Sequence, residues 1–169
     1  MNISPPKSML RTLLVAAIAT TLTASVIIGM SGTASAGETQ TASSAPHFTV
    51  EQSGKRVIKQ GVIAYNKGDY AKAAAFNRDA LHQGLRIKHK TIVYSNQCAT
   101  LGSQGRYEQA LAACDSALKL APTNWQAYSN RAAVNWLNGD KVQAKLDIKS
   151  AEALDSTAAA ITYNINVFG

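Results

Sequence analysis

Two asparagines, Asn96 and Asn130, stand 34 residues apart, and each follows a serine, Ser95 and Ser129. A primary amide both donates and accepts, so such a residue can pair with the N–H and C=O of an extended backbone. The same amide, once buried, can instead bond one helix to the next, because buried polar groups need partners. The chain also has two cysteines, Cys98 and Cys114. In an oxidising compartment they can close a short loop as a disulfide; as free thiols they would act as small core residues. Other chemistry is sparse. His47, His82 and His89 have no metal-ligand spacing to cysteine or carboxylate. There is no glycine-rich phosphate loop and no nucleophile elbow, and Gly102-Ser-Gln-Gly105 lacks the hydrolase spacing. The residues therefore suggest no enzyme, no catalytic group, no cofactor and no metal.

The elements that must position these side chains are repeats. Writing residues 125–158 beneath 91–124 aligns Tyr94 with Tyr128, Ser95 with Ser129, Asn96 with Asn130 and Gly105 with Gly139. It also aligns Ala110 with Ala144, Ala117 with Ala151 and Leu120 with Leu154. A fixed period of 34 in sequence with helical apolar spacing marks a stacked helix–turn–helix unit. In the middle unit the first helix carries Tyr94, Gln97, Cys98 and Leu101. The second carries Tyr107, Ala110, Leu111, Cys114, Ala117 and Leu118 and stops at Pro122.

An earlier unit precedes them, with its turn at Lys67-Gly-Asp-Tyr70 and Tyr70, Ala73, Ala74, Asn77, Ala80 and Leu81 on one stripe. From Gly68 to Gly105 is 37 residues, and the extra three are expected at Arg86–Lys90, as a longer loop or an extended helix end. Thr49-Val-Glu-Gln52 has capping-box spacing and predicts a helix start there. The tail has Ile161, Ile165 and Phe168 at helical spacing, while Ile161, Tyr163, Ile165 and Val167 alternate as in a strand; the repeat context favours helix.

The chain opens with Lys7 and Arg11, runs apolar from Leu13 to Met30 and reaches Ala34-Ser-Ala36. This reads as a secretory signal over residues 1–36, cleaved after Ala36, with an uncleaved anchor as the alternative. The organisation expected is a signal at 1–36, a flexible linker at 37–52, units at 53–90, 91–124 and 125–158, and a cap at 159–169. The location expected is periplasmic or secreted. The full chain is +7. Residues 54–90 hold nine basic side chains against Asp69 and Asp79. Lys55, Arg56, Lys59, Arg86, Lys88 and Lys90 form a basic patch able to attract anionic lipid or wall polymer, or merely to solvate the surface. Export makes nucleic acid a poor partner, and the oligomeric state stays open.

The residues at fixed places in each unit resemble tetratricopeptide repeats. Cys98, Gly105, Tyr107, Ala110, Ala117 and Pro122 fit that pattern in the second unit, and Ala132, Gly139, Ala144 and Ala151 fit it in the third. Gly61, Gly68, Tyr70, Ala73 and Ala80 fit it in the first. Lys141 stands in place of the usual aromatic and Ser156 in place of the usual proline. The resemblance implies an all-α fold, a right-handed superhelical stack of three helix–turn–helix repeats with a C-terminal capping segment. It also implies a protein or peptide partner held in the concave groove.

In that register the groove is lined by Lys55, Ile58, Val62 and Tyr65; by Ile92, Ser95, Asn96 and Ala99; and by Gln126, Ser129, Asn130, Ala133 and Trp136. Asn96 and Asn130 would grip a peptide backbone with Ser95 and Ser129 beside them. Tyr65 and Trp136 would anchor an apolar side chain or fill core. One subset of the family grips a chaperone's C-terminal carboxylate with Lys and Asn in the first unit and Lys and Arg in the third. Here Ile58, Val62, Gln126 and Asn130 stand at those places, which argues against that ligand.

Overall fold

Alanine-rich sequence with helical apolar spacing folds into helices, and glycine with a positive φ turns the chain between them. In the computed structural model, which describes residues 44–169, the helices are α1 Arg56–Asn66, α2 Tyr70–Leu81, α3 Ile87–Ser103, α4 Tyr107–Leu120, α5 Trp125–Leu137, α6 Lys141–Leu154 and α7 Ala159–Phe168. The signal segment expected at 1–36, and residues 37–43 of the expected linker, lie outside the described residues. Among those described there is no strand, and no helix is long and apolar enough to cross a membrane.

Each hairpin pairs α1 with α2, α3 with α4 and α5 with α6, and turns at Gly68, Gly105 or Gly139 with φ of 76°, 72° and 92°. Asp69 and Asp140 cap the helices that follow two of these turns, accepting from the amides of Lys72 and Gln143. Ala73, Ala80, Ala110, Ala117, Ala132, Ala144 and Ala151 are fully buried. Without bulk at these crossings, neighbouring backbones approach closely and larger side chains fill the gaps between them. Ile148, Ile161 and Phe168 pack with Ala132, Ala144 and Ala151 where α7 closes the stack. The tail is thus a helix, burying Ile161, Asn164 and Phe168 on one stripe. The longer spacing falls at the start of α3, which has 17 residues against 13 in α5 and so begins four residues earlier in its repeat.

Two covalent or ionic ties fix the middle of the stack. Cys98 on α3 and Cys114 on α4 form a disulfide with Cα atoms 5.2 Å apart. On α5, the Arg131 guanidinium bonds both oxygens of Asp147 on α6, at 2.9 and 2.7 Å, and reaches Asp115 on α4 at 2.7 Å. Asn135 and Gln143 also donate to Asp147, which is 2% exposed. Burial alone would lower the Arg131 pKa, but the hydrogen bonds it donates to Asp147 and Asp115 outweigh it and hold the guanidinium firmly charged.

One sequence expectation fails here. Thr49–Gln52 does not start a helix; those residues are extended, and α1 begins at Arg56 after a Lys55 cap that makes no side-chain bond. Nor is the described end of the 37–52 linker loose, since residues 47–51 are hydrogen-bonded to the stack. A helix cap contributes only about 1 kcal/mol, so partners offered to an extended path readily outweigh it.

Replacing Cys98 and Cys114 together by alanine is expected to lower the unfolding free energy by about 3 kcal/mol, as for a closed loop of roughly this length. Urea unfolding measures the change, and an unchanged midpoint would show that the bond contributes nothing.

Candidate functional site

Three asparagines, one each on α3, α5 and α7, face the same side of the stack. Asn96, Asn130 and Asn164 are 34 residues apart and at most 2% exposed. Each holds both backbone groups of one residue in the extended segment. Asn96 Oδ1 accepts from the Glu51 amide at 2.7 Å, and its Nδ2 donates to the Glu51 carbonyl at 2.8 Å. Asn130 does the same for Thr49 at 2.8 and 2.9 Å, and Asn164 for His47 at 2.7 and 2.9 Å. The segment therefore crosses the groove from α7 to α3, against the order of the repeats.

The geometry works because two residues of extended chain advance about 6.6–6.8 Å. Packed helix axes stand about 8–10 Å apart, and on the inner side of a curved stack that spacing shortens towards the advance of the peptide.

Ser95 and Ser129 lie behind the clamps rather than in the groove. Asn130 Nδ2 donates to the Ser95 carbonyl at 3.2 Å and to Ser95 Oγ at 3.4 Å, while Asn164 Nδ2 donates to Ser129 Oγ at 3.3 Å. Each serine thus orients the asparagine of the next unit. Asn130 thus makes two kinds of bond within this chain, one amide proton to the Thr49 carbonyl and the other to Ser95 on the neighbouring helix.

Pro46 is buried, and the next two side chains of the segment contact the stack. Phe48 packs on the cluster of Cys98, Leu101, Ala110, Cys114 and Val134. A β-carbon at Gly102 would stand 2.5 Å from Phe48 Cζ and 3.0 Å from Val134 Cγ2, so the glycine is the floor of a socket. The His47 ring stacks on Tyr163 with centroids 3.7 Å apart. These contacts matter energetically. A backbone hydrogen bond nets roughly 1 kcal/mol, about what ordering one residue costs, so the six clamp bonds fix register while apolar burial tips the balance.

The aromatic anchors expected at the groove ends are used inside the stack. Tyr65 bonds Ser103 through its hydroxyl at 3.0 Å and leans on Tyr70, and burial raises its pKa against the smaller, opposing effect of the Ser103 bond. Trp136 stacks on Phe168 with centroids 4.6 Å apart, and the Lys141 ammonium lies 3.6 Å from its ring centre. Aromatics at helical spacing fill core here, as apolar burial favours. Gln126 lines a cleft of about 470 Å³ beyond the Glu51 end of the segment, with Lys88, Thr91 and Asn124.

Of the basic residues, Lys55, Arg56, Lys59, Arg86 and Lys88 are exposed and Lys90 is half-buried. They gather at the starts of α1 and α3, and among the described residues only Arg131 makes ion pairs. Among these residues no three His, Cys, Asp or Glu side chains cluster as a metal site.

Sequence reasoning missed Asn164, His47, Phe48, Gly102 and Tyr163. Continuing the period of 34 past Asn130 would have found Asn164. Nothing local marks residues 47–51 as a ligand.

Replacing Asn130 by alanine removes both backbone bonds to Thr49, together with the bond from the Thr49 hydroxyl. Loss of protection by about 1–3 kcal/mol is expected in hydrogen exchange at the Thr49 amide, and a smaller loss where α5 meets α3, because the bonds to Ser95 go with it. Burial raises the Glu51 pKa above its ordinary value, only partly offset by Lys88. An acid raised on docking favours the protonated form, so the docked segment is tightest below the free pKa and loosens as pH rises through the raised one. Glu51→Gln should therefore protect the segment more strongly at neutral pH and flatten that dependence, read by the same exchange measurement from pH 4 to 7. A steeper dependence would contradict the burial argument.

No protein-family profile matches the sequence, and neither does any curated protein. Solved structures do match. The first TPR domain of Spaghetti (RPAP3), bound to the HSP90 peptide SRMEEVD, is 17% identical with a TM-score of 0.59 over 66% of this chain and 86% of its own. The Arabidopsis OM64 TPR domain is 21% identical with a TM-score of 0.57, covering 65% of this chain and 88% of its own. The first TPR domain of human RPAP3, solved by NMR, is 17% identical with a TM-score of 0.60 over 66% and 86%. Three stacked helical hairpins with a closing helix, aligned on these domains, give this chain the tetratricopeptide-repeat fold.

Proposed function

We propose that this protein is an exported interaction module whose concave groove binds an extended segment of a partner protein. The observation that carries the reading is the set of six backbone bonds from Asn96, Asn130 and Asn164 to residues 51, 49 and 47. Bonds to backbone groups do not depend on side-chain identity, so the same three amides can take another chain in the same register. The chain's own segment is then a resident occupant that a partner displaces. A peptide bound to the structurally similar Spaghetti domain supports this mode, although the chaperone-tail residues are replaced here.

Export rests on the basic, apolar and Ala34-Ser-Ala36 succession, with the Cys98–Cys114 bond favouring an oxidising compartment. No catalytic role is proposed. A second reading belongs to the exposed basic starts of α1 and α3, which could hold anionic lipid or wall polymer. Such binding would collapse as salt rises, whereas backbone clamping would persist.

Thr49→Pro in the full chain tests the groove. Proline has no amide hydrogen, so the bond to Asn130 is lost and the resident segment loosens while the groove stays intact. A fluorescent peptide of residues 44–52, Ser-Ala-Pro-His-Phe-Thr-Val-Glu-Gln, should bind this variant at least about tenfold more tightly than it binds the parent chain. Adding Asn96→Ala and Asn164→Ala should abolish that binding. A folded Thr49→Pro protein that takes no peptide would sink the reading.

A further inference from the structure

The three units differ at one repeat position. Counting back from the turn glycines, Tyr65, Gly102 and Trp136 each stand three residues before Gly68, Gly105 and Gly139. Two units carry a large aromatic there and the middle unit carries none. Tyr65 and Trp136 are both packed within the stack, the latter stacked on Phe168. At Gly102 the missing bulk is supplied from outside, because Phe48 of the extended segment lies where a β-carbon of residue 102 would project.

Glycine inside a helix is less favourable than alanine, and this one does not have the positive φ of the turn glycines. Its place in α3 is accounted for by the ring above it. The socket walls, Cys98, Leu101, Cys114 and Val134, are buried and apolar, and the disulfide ties two of them together. Phe48 falls between the residues held by Asn164 and Asn130, so the clamps on either side fix which side chain of a bound segment points at Gly102. Successive side chains of an extended chain alternate in direction, which excludes the clamped neighbours from the same socket.

We propose that the groove selects partner segments carrying an aromatic residue, phenylalanine above all, at the position between the Asn164 and Asn130 clamps, with Gly102 setting that preference. This rests on the groove reading above and adds the chemistry of the ligand to it. The partner class is an exposed, extended protein segment with one aromatic side chain flanked by clamped residues, the one before it able to stack on Tyr163 as His47 does.

The test uses the full chain with Thr49→Pro and Phe48→Ala together, which loosens the resident segment and vacates the socket while leaving Asn96, Asn130 and Asn164 in place. Fluorescence anisotropy compares the labelled peptide of residues 44–52 with its counterparts bearing alanine or leucine in place of phenylalanine. The phenylalanine peptide should bind roughly tenfold or more tightly than the alanine one, with leucine between them. Adding Gly102→Ala should erase that difference, because the new β-carbon occupies the ring's space. Circular dichroism checks that each variant is folded. If Phe48→Ala unfolds, the same peptides and the same Gly102→Ala comparison are run in the Thr49→Pro chain.

Equal binding of the phenylalanine and alanine peptides overturns aromatic selection and leaves the groove reading standing. A preference that survives Gly102→Ala overturns the assignment to this socket. Binding of none of the peptides overturns both.

Discussion

A peptide chain lying in a groove cannot leave its amides and carbonyls dry and unpaired, and here it makes neither helix nor sheet. The asparagine side chain answers that constraint because it presents the same donor and acceptor as a peptide unit. One amide suffices for one residue, but a row of amides serves a chain only if their spacing matches its pleat. That spacing is set far from the groove, by fully buried alanines such as Ala110, Ala117, Ala132, Ala144 and Ala151 at the helix crossings. Bulk at those crossings would push the helices apart and take the three asparagines out of step with every second residue.

The site also divides into a hard floor and a soft occupant. The Cys98–Cys114 bond and the Arg131–Asp147 pair bind α3 to α4 and α5 to α6, beneath the clamps of Asn96 and Asn130. The segment above them has hydrogen bonds that roughly cancel its ordering cost, plus one ring in a socket. The floor is therefore held by covalent and ionic ties that the segment does not share.

Most of the fold was legible in the sequence because repetition multiplies weak local signals. A single Gly105 or Ala110 says little, whereas Gly139 and Ala144 one period later say the pair is structural. The candidate site was half legible. Asn96 and Asn130 stood out by the same repetition, but Thr49–Gln52 satisfied a local helix-start pattern that long-range partners overrode. Asn164 was obscured because the apolar residues of the tail carry the stronger local signal, although it stands one 34-residue period beyond Asn130. Tyr65 and Trp136 looked like anchors because groove-lining and stack-filling positions alternate along one helix, and periodicity cannot tell which neighbour arrives first.

The spacing of the clamps makes the stack a ruler. Each 34-residue hairpin advances the bound chain by two residues, so the length of segment that can be read is fixed by the number of units and not by the size of any pocket. The direction of the segment adds a second restriction. Because it runs from α7 back towards α3 and then leads directly into α1, the first unit cannot read the resident chain, and Lys59 there stands where the later units place asparagine. At the Glu51 end the groove opens onto the cleft of Lys88 and Gln126.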